Sequence, residues 1–213
     1  MADHYYTQAP VSAHKPIRLS YVYRGVTLDF DTDSGVFSRT EIDRGTDALL
    51  RALPESMAGD VLDMGCGYGV MGVAVGKRYP ACRVAMADVN QRACALARSN
   101  AQQNGVAARV WESDGYTDVP PGETFDLILQ NPPIRAGKAV IYLLFAQSGA
   151  RLREGGALWL VIRKQQGAPS AIRYLQGLFT HVDTVAKESG YWVLRCGQPV
   201  APPEYKQEER RIP

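Results

Sequence analysis

The chain is short of the residues that build metal centres, disulfide frameworks and membrane spans. Its four cysteines, Cys66, Cys82, Cys94 and Cys196, form no CxxC pair and no cluster with the three histidines, His4, His14 and His181. Neither a structural zinc nor a disulfide-stapled scaffold is expected, and the thiols read as buried groups of a reducing compartment. No run approaches the roughly 20 apolar residues that cross a bilayer, and the opening MADHYYTQAP lacks the basic and apolar regions of a secretory leader, so a cytoplasmic location without membrane contact is expected. Charge of one sign is also missing. The 24 basic and 22 acidic side chains leave a formal charge of +2, too little to capture nucleic acid in bulk, so any such contact must come from a local patch.

What is present suits an ordinary globular chain: 46% of the 213 residues are apolar and 22% charged. A chain of this length buries roughly 70% of its unfolded surface, enough for one full core. Residues 1–18 and 198–213 are polar and punctuated by proline, with no apolar periodicity. Leu19–Tyr23 and Val26–Phe30 flank Arg24-Gly25, the spacing of a two-residue hairpin. Apolar runs then follow at Val61–Met64, Val84–Ala87, Ala108–Trp111, Phe125–Leu129 and Leu158–Ile162. They alternate with helical segments over Ile42–Leu53, Val70–Tyr79, Gln91–Asn104, Ala139–Leu152 and Ser170–Phe179. That alternation predicts a parallel α/β sheet. Val182–Lys187 and Tyr191–Cys196, joined at Ser189-Gly190, predict a closing hairpin.

The stretch VLDMGCGYGVMGVAV places Gly65, Gly67 and Gly69 at alternate positions between a strand ending at Asp63 and a helix starting near Gly69. A plain turn needs one or two glycines; three remove side chains where a ligand approaches the backbone. Two cofactor classes compete. Gly67, Gly69 and Gly72 match a dinucleotide GxGxxG, whereas acid-x-Gly-x-Gly-x-Gly, with Met64 inside it, matches S-adenosylmethionine loops. In the dinucleotide case the first glycine follows the strand directly, so that the pyrophosphate meets the helix N-terminus. Here the acid Asp63 ends the strand, and it is expected to repel a phosphate and attract the ammonium and sulfonium of the other ligand. Asp88 ends the next strand, 23 residues after Gly65, where a carboxylate accepts from both ribose hydroxyls. Asp114, in WESDGY, is expected to end the following strand and accept from the adenine amine, with Val89 packed on the ring.

Strand Phe125–Gln130 runs into Asn131-Pro132-Pro133-Ile134. Two prolines fix φ and remove two backbone donors, so the Asn131 amide and the Pro132 carbonyl are expected to form a rigid pair of acceptors. Such a pair suits a planar NH2 group, whose delocalised lone pair is a weak nucleophile. Hydrogen bonds accepted from both N–H groups orient it for in-line attack on a methyl sulfonium, which is preorganisation rather than base catalysis.

On these residues the chain resembles the class I S-adenosylmethionine-dependent methyltransferases, and among them the single-domain members of the RsmC-like small-subunit ribosomal RNA guanine N2-methyltransferases. The resemblance runs from about His4 to Cys196 through HKPIRLSYVYRGVTLDFDTDSGVFS, LDMGCGYG and, most specifically, NPPIRAGK over Asn131–Lys138. Generic amino-methyltransferases have an aromatic residue where Ile134 stands. The resemblance implies a seven-stranded Rossmann-like α/β sheet with helices on both faces and an N-terminal hairpin. Three segments are expected: an extension and hairpin over 1–40, the methyltransferase domain over 41–197 and a tail over 198–213. It also implies methyl transfer to guanine N2 of ribosomal RNA or the small subunit, with Asn131, Pro132, Pro133 and Ile134 as the catalytic set and Phe37 of GVFS as a further cofactor contact. Arg135 and Lys138, joined by Arg163 and Lys164, are candidates for RNA contact. The alternatives are a protein glutamine N-methyltransferase, because a side-chain amide offers the same NH2 geometry, and a non-catalytic, cofactor-binding module associated with ribosomes.

Overall fold

The computed structural model describes residues 8–200; His4 and nearly all of the expected tail lie outside them. An antiparallel hairpin comes first, β1 (Ile17–Tyr23) and β2 (Val26–Thr32), turning at Arg24-Gly25, both at positive φ. There follow α1 (Arg44–Ala52), β3 (Gly59–Met64), α2 (Val70–Arg78), β4 (Cys82–Asp88), α3 (Gln91–Gln103), β5 (Ala108–Glu112), β6 (Phe125–Gln130) and α4 (Lys138–Arg151). The last elements are β7 (Leu152–Arg163), α5 (Ala168–Leu175), β8 (Phe179–Glu188) and β9 (Tyr191–Pro199).

Seven strands form one sheet in the order β5-β4-β3-β6-β7-β9-β8. The neighbours from β5 to β7 are parallel, while β9 is antiparallel to both β7 and β8. Successive strand residues face opposite layers. Val61, Val84, Met86 and Leu129 pack with α1, α2, α3 and the hairpin, whereas Leu62, Ala85, Ala87 and Ile128 pack with α4 and α5. The hairpin shares this core through Tyr23, Leu28 and Phe30, all buried; Leu28 and Phe30 each contribute about 1.5–3 kcal/mol by burial. Asn100 of α3 ties it down, accepting from the Asp31 N–H at 2.8 Å and donating to the Asp31 carbonyl at 2.9 Å. From β3 the chain winds outward to β5 and then returns to place β6 on the other side of β3. That reversal opens a crevice at the carboxyl ends of β3 and β6, where ligands of open α/β sheets sit.

Two elements depart furthest from expectation. The strand expected at Leu158–Ile162 starts at Leu152, directly after α4: Leu152 already pairs with Phe125, and Gly155 at φ +76° and Gly156, where a Cβ would lie 3.0 Å from the Phe125 carbonyl, carry the chain through a register shift before Ala157 pairs with Leu127. α5 starts early, after Gly167 at φ +105° with Pro169 in its first turn, and stops at Gln176 before Gly177.

Candidate active site

The crevice holds a cavity of about 390 Å³, bordered by the loop after β3, the ends of β4 and β6, and the start of α4. Gly65 and Gly67 line it at φ +74° and +56°, and a Cβ on either would meet nothing within 4 Å: the space beside this backbone is open for a ligand. Gly69 does not line it. At φ +94° it caps α2, and a Cβ would press on Ala97 and the Met86 sulfur at 3.2 Å. Gly72 is tighter still, 2.6 Å from that sulfur. Two of the glycines serve the cavity and two serve helix packing.

Asp63 also departs from expectation. It is fully buried and does not line the cavity; its Oδ2 accepts from the Gly72 N–H, in the first turn of α2, at 2.8 Å. Asp63 thus occupies the N-terminal turn of α2 from within the protein, where the pyrophosphate of a dinucleotide would otherwise meet the helix. Burial pushes its pKa up to about 7, the Gly72 hydrogen bond opposes the rise, and the Asp88 charge adds to it. Met64 lines the cavity beside it.

Asp88 closes β4 and faces the cavity half-buried. Its oxygens accept from the Gly67 and Asn90 N–H groups, both at 2.8 Å, so the carboxylate and the glycine loop hold one another in register. Burial still raises its pKa above the ordinary value. Val89, Phe37 and Asp114 line the same cavity. Asp114 is not at a strand tip, however: β5 ends at Glu112, and Ser113 turns the chain by donating its N–H to the Asp88 carbonyl at 2.9 Å.

Asn131, Pro132 and Pro133 form the opposite wall, with Arg135. The Asn131 Nδ2 donates to Asp43 Oδ2 at 2.8 Å and to Thr46 Oγ1 at 3.0 Å. Both are at the start of α1, where the same Asp43 oxygen accepts from the Thr46 N–H at 2.9 Å as the helix cap. With its NH2 engaged by two acceptors, the amide leaves Oδ1 as the atom with accepting capacity to spare.

Residues 27–195 match the methyltransferase small domain family. Bacillus subtilis (strain 168) YbxB, an uncharacterized protein, is 41% identical over 198 residues, 92% of this chain and 98% of YbxB. The chain belongs to the methyltransferase small domain family. The ribosomal RNA small subunit methyltransferase C of Pseudomonas entomophila (strain L48) is 38% identical over 169 residues, 76% of this chain and 48% of that one. The T. thermophilus 16S rRNA N2 methyltransferase RsmC, solved in complex with AdoMet and guanosine, superposes with a TM-score of 0.78 at 26% identity, over 89% of this chain and 52% of that one. The chain spans about half the length of these two relatives.

In this methyltransferase the turn after the Asn-Pro-Pro motif, Ile134–Ala136, divides two cavities. Arg135 lines the first. Ile134 does not, although the motif placed it beside Asn131; it lines the second together with Lys138. Sequence reasoning missed Asp43 and Thr46, whose signal was at most an ordinary helix cap, and several residues that line the first cavity without a motif, Ser113, Gly115, Gln130 and Leu144 among them.

Proposed function

We propose that this methyltransferase moves a methyl group from S-adenosylmethionine to an exocyclic amine, guanine N2 of small-subunit ribosomal RNA. The cofactor is S-adenosylmethionine. Its fit rests on three features of the first cavity: open backbone at Gly65 and Gly67, the Asp88 carboxylate, and an α2 N-terminus already occupied by Asp63. When bound, it supplies an electrophilic methyl group on a sulfonium. Asp88 would hold the ribose, Val89 would pack on the adenine and Asp114 would accept from its amine, with Phe37 at the rim.

The observation that carries the reading is the anchored Asn131 amide on the wall facing the glycine loop. Oδ1 and the Pro132 carbonyl accept from the two N–H groups of the amine and point its lone pair at the methyl carbon. With the cofactor bound, the nitrogen held by Asn131 and Pro132 would take up the methyl carbon as the carbon–sulfur bond is lost to the neutral thioether, and the surplus proton on nitrogen would pass to water. Asp43 keeps the amide polarised, strengthening Oδ1 as an acceptor while positive charge grows on the nitrogen. Guanine is favoured over a protein amide because identity extends to ribosomal RNA small subunit methyltransferases and because Arg135 and Lys138, which flank the motif, have no carboxylate partner among the described residues. Tritiated S-adenosylmethionine offered with small ribosomal subunits and, separately, with release factors tests it. Label in RNA is the expected result; label in protein alone would reject it.

A further inference from the structure

The second cavity, about 220 Å³, lies across the Ile134–Ala136 turn from the first. Its apolar walls come from Ile134, Ile141, Ile162 and Ala171, its aromatic side from Tyr142, and its rim from Gln166 and Ser170. The Tyr142 ring is braced by Tyr174, stacked at 4.0 Å between centroids and 16° between planes. That stack holds the aromatic side of the slot in place. Gln166 has no side-chain partner among the described residues, so its amide can offer both a donor and an acceptor to the edge of a heterocycle.

Charge around the slot has one sign. Among the described residues no carboxylate lines it. Among the described residues Arg135, Lys138, Arg163 and Lys164 have no carboxylate partner: Lys138 lies over the Tyr142 ring at 5.1 Å and Arg163 over the Tyr191 ring at 5.2 Å. The opposite edge of the sheet differs. There Arg83 and Arg153 are paired with Asp60, and Arg153 also with Asp126. Cations left unpaired by carboxylates beside a slot with no carboxylate in its lining offer that surface to a polyanion.

We propose that the second cavity binds the nucleobase that neighbours the methyl acceptor in an RNA strand, with Lys138 and Arg163 on the adjoining phosphates. This rests on the RNA reading above. The acceptor base itself belongs to the first cavity, because its amine must reach Asn131 and Pro132, and both line that cavity and not the second. Ile134 then acts as a partition: its side chain closes the neighbour's slot while the prolines before it face the acceptor.

Ser170→Phe, on the rim of the slot, tests the proposal by filling it. A base stacked in such a slot is worth on the order of tenfold or more in affinity. kcat/KM on small-subunit ribosomal RNA should therefore fall about tenfold, while S-adenosylhomocysteine binding by calorimetry and methyl transfer to saturating free guanosine stay at the wild-type level. Equal losses on RNA and guanosine would overturn the proposal, since the slot would then hold the acceptor, and so would no loss on either. As a readout independent of turnover, 4-thiouridine-substituted ribosomal RNA irradiated with the wild type should crosslink to the peptide containing Lys138 and Tyr142. Crosslinks confined to residues of the first cavity would also overturn it. A wild type that leaves RNA unmethylated overturns the proposed function itself, a different result from a wild type that methylates RNA and ignores Ser170→Phe.

Discussion

Replacing Thr46 by valine removes one of the two acceptors that fix the Asn131 amide while keeping the branched shape at Cβ. The Thr46 hydroxyl is neutral and 3.0 Å from Asn131 Nδ2; the Asp43 carboxylate is charged and 2.8 Å away. Neutral hydrogen bonds contribute about 0.5–1.5 kcal/mol and those to charged groups about 1.5–3 kcal/mol. If these terms are felt in the transition state, Thr46→Val lowers kcat about 2- to 13-fold and Asp43→Ala about 13- to 160-fold. Asp43→Ala also loses the cap on the Thr46 N–H, costing about 0.5–2 kcal/mol of stability. Asp43→Ser separates the two roles: it restores a cap oxygen without the charge, so thermal stability should return to near the wild type while kcat stays low. Neither Asp43 nor Thr46 lines the first cavity, so S-adenosylhomocysteine affinity should hold in all three variants. Full recovery of kcat in Asp43→Ser, or a wild-type kcat in Thr46→Val, would refute the idea that α1 orients the amide.

The glycines of the loop should divide by function: Gly67→Ala costs about 1–2 kcal/mol for its positive φ and abolishes cofactor binding by calorimetry. Gly72→Ala, with a Cβ 2.6 Å from the Met86 sulfur, should lower the melting temperature more, as overpacking by about 1–3 kcal/mol requires; the reverse ranking would contradict the assignment. Asp63 retains its proton in the folded state up to about pH 7, whereas an unfolded Asp releases its proton near pH 4. Over that window the native state binds more protons, so the Asp63 contribution to stability falls as pH rises. Asp63→Asn should therefore gain stability relative to the wild type from pH 4 to 7 in urea unfolding, and curves that stay parallel would count against it. Arg135→Ala/Lys138→Ala should flatten the dependence of RNA affinity on salt by about 0.7 per lost phosphate contact in log–log slope for a single strand; an unchanged slope removes both residues from the interface.

Much of the scaffold could be read in advance because its signals are local. The strands at β3, β4 and β6 are apolar runs, the turns at Arg24-Gly25 and Ser189-Gly190 carry their own chemistry, and Gly65, Gly67 and Asp88 gather at one sheet edge by the geometry of βαβ units. Contacts between distant segments were not readable. Asp43 reaches Asn131 across 88 positions, and nothing around it distinguishes this aspartate from any other helix cap. The role given to Asp63 depended on which way its side chain turned at the end of β3. Charge alone suggested the ligand, while the structure turns it inward to α2. Ile134 was grouped with the motif by sequence adjacency, yet a short helical turn carries it to the other side of the partition. The second cavity arises where α4, β7 and α5 meet, and each contributes an unremarkable residue.

The most direct measurement is the identity of the methylated product. Small subunits incubated with the purified protein and labelled S-adenosylmethionine are digested to nucleosides, and the label is located by chromatography and mass spectrometry. The account predicts N2-methylguanosine with the wild type and its loss in Asn131→Ala, with cofactor still bound. Label in any other nucleoside, or undiminished N2-methylguanosine from Asn131→Ala, would contradict it.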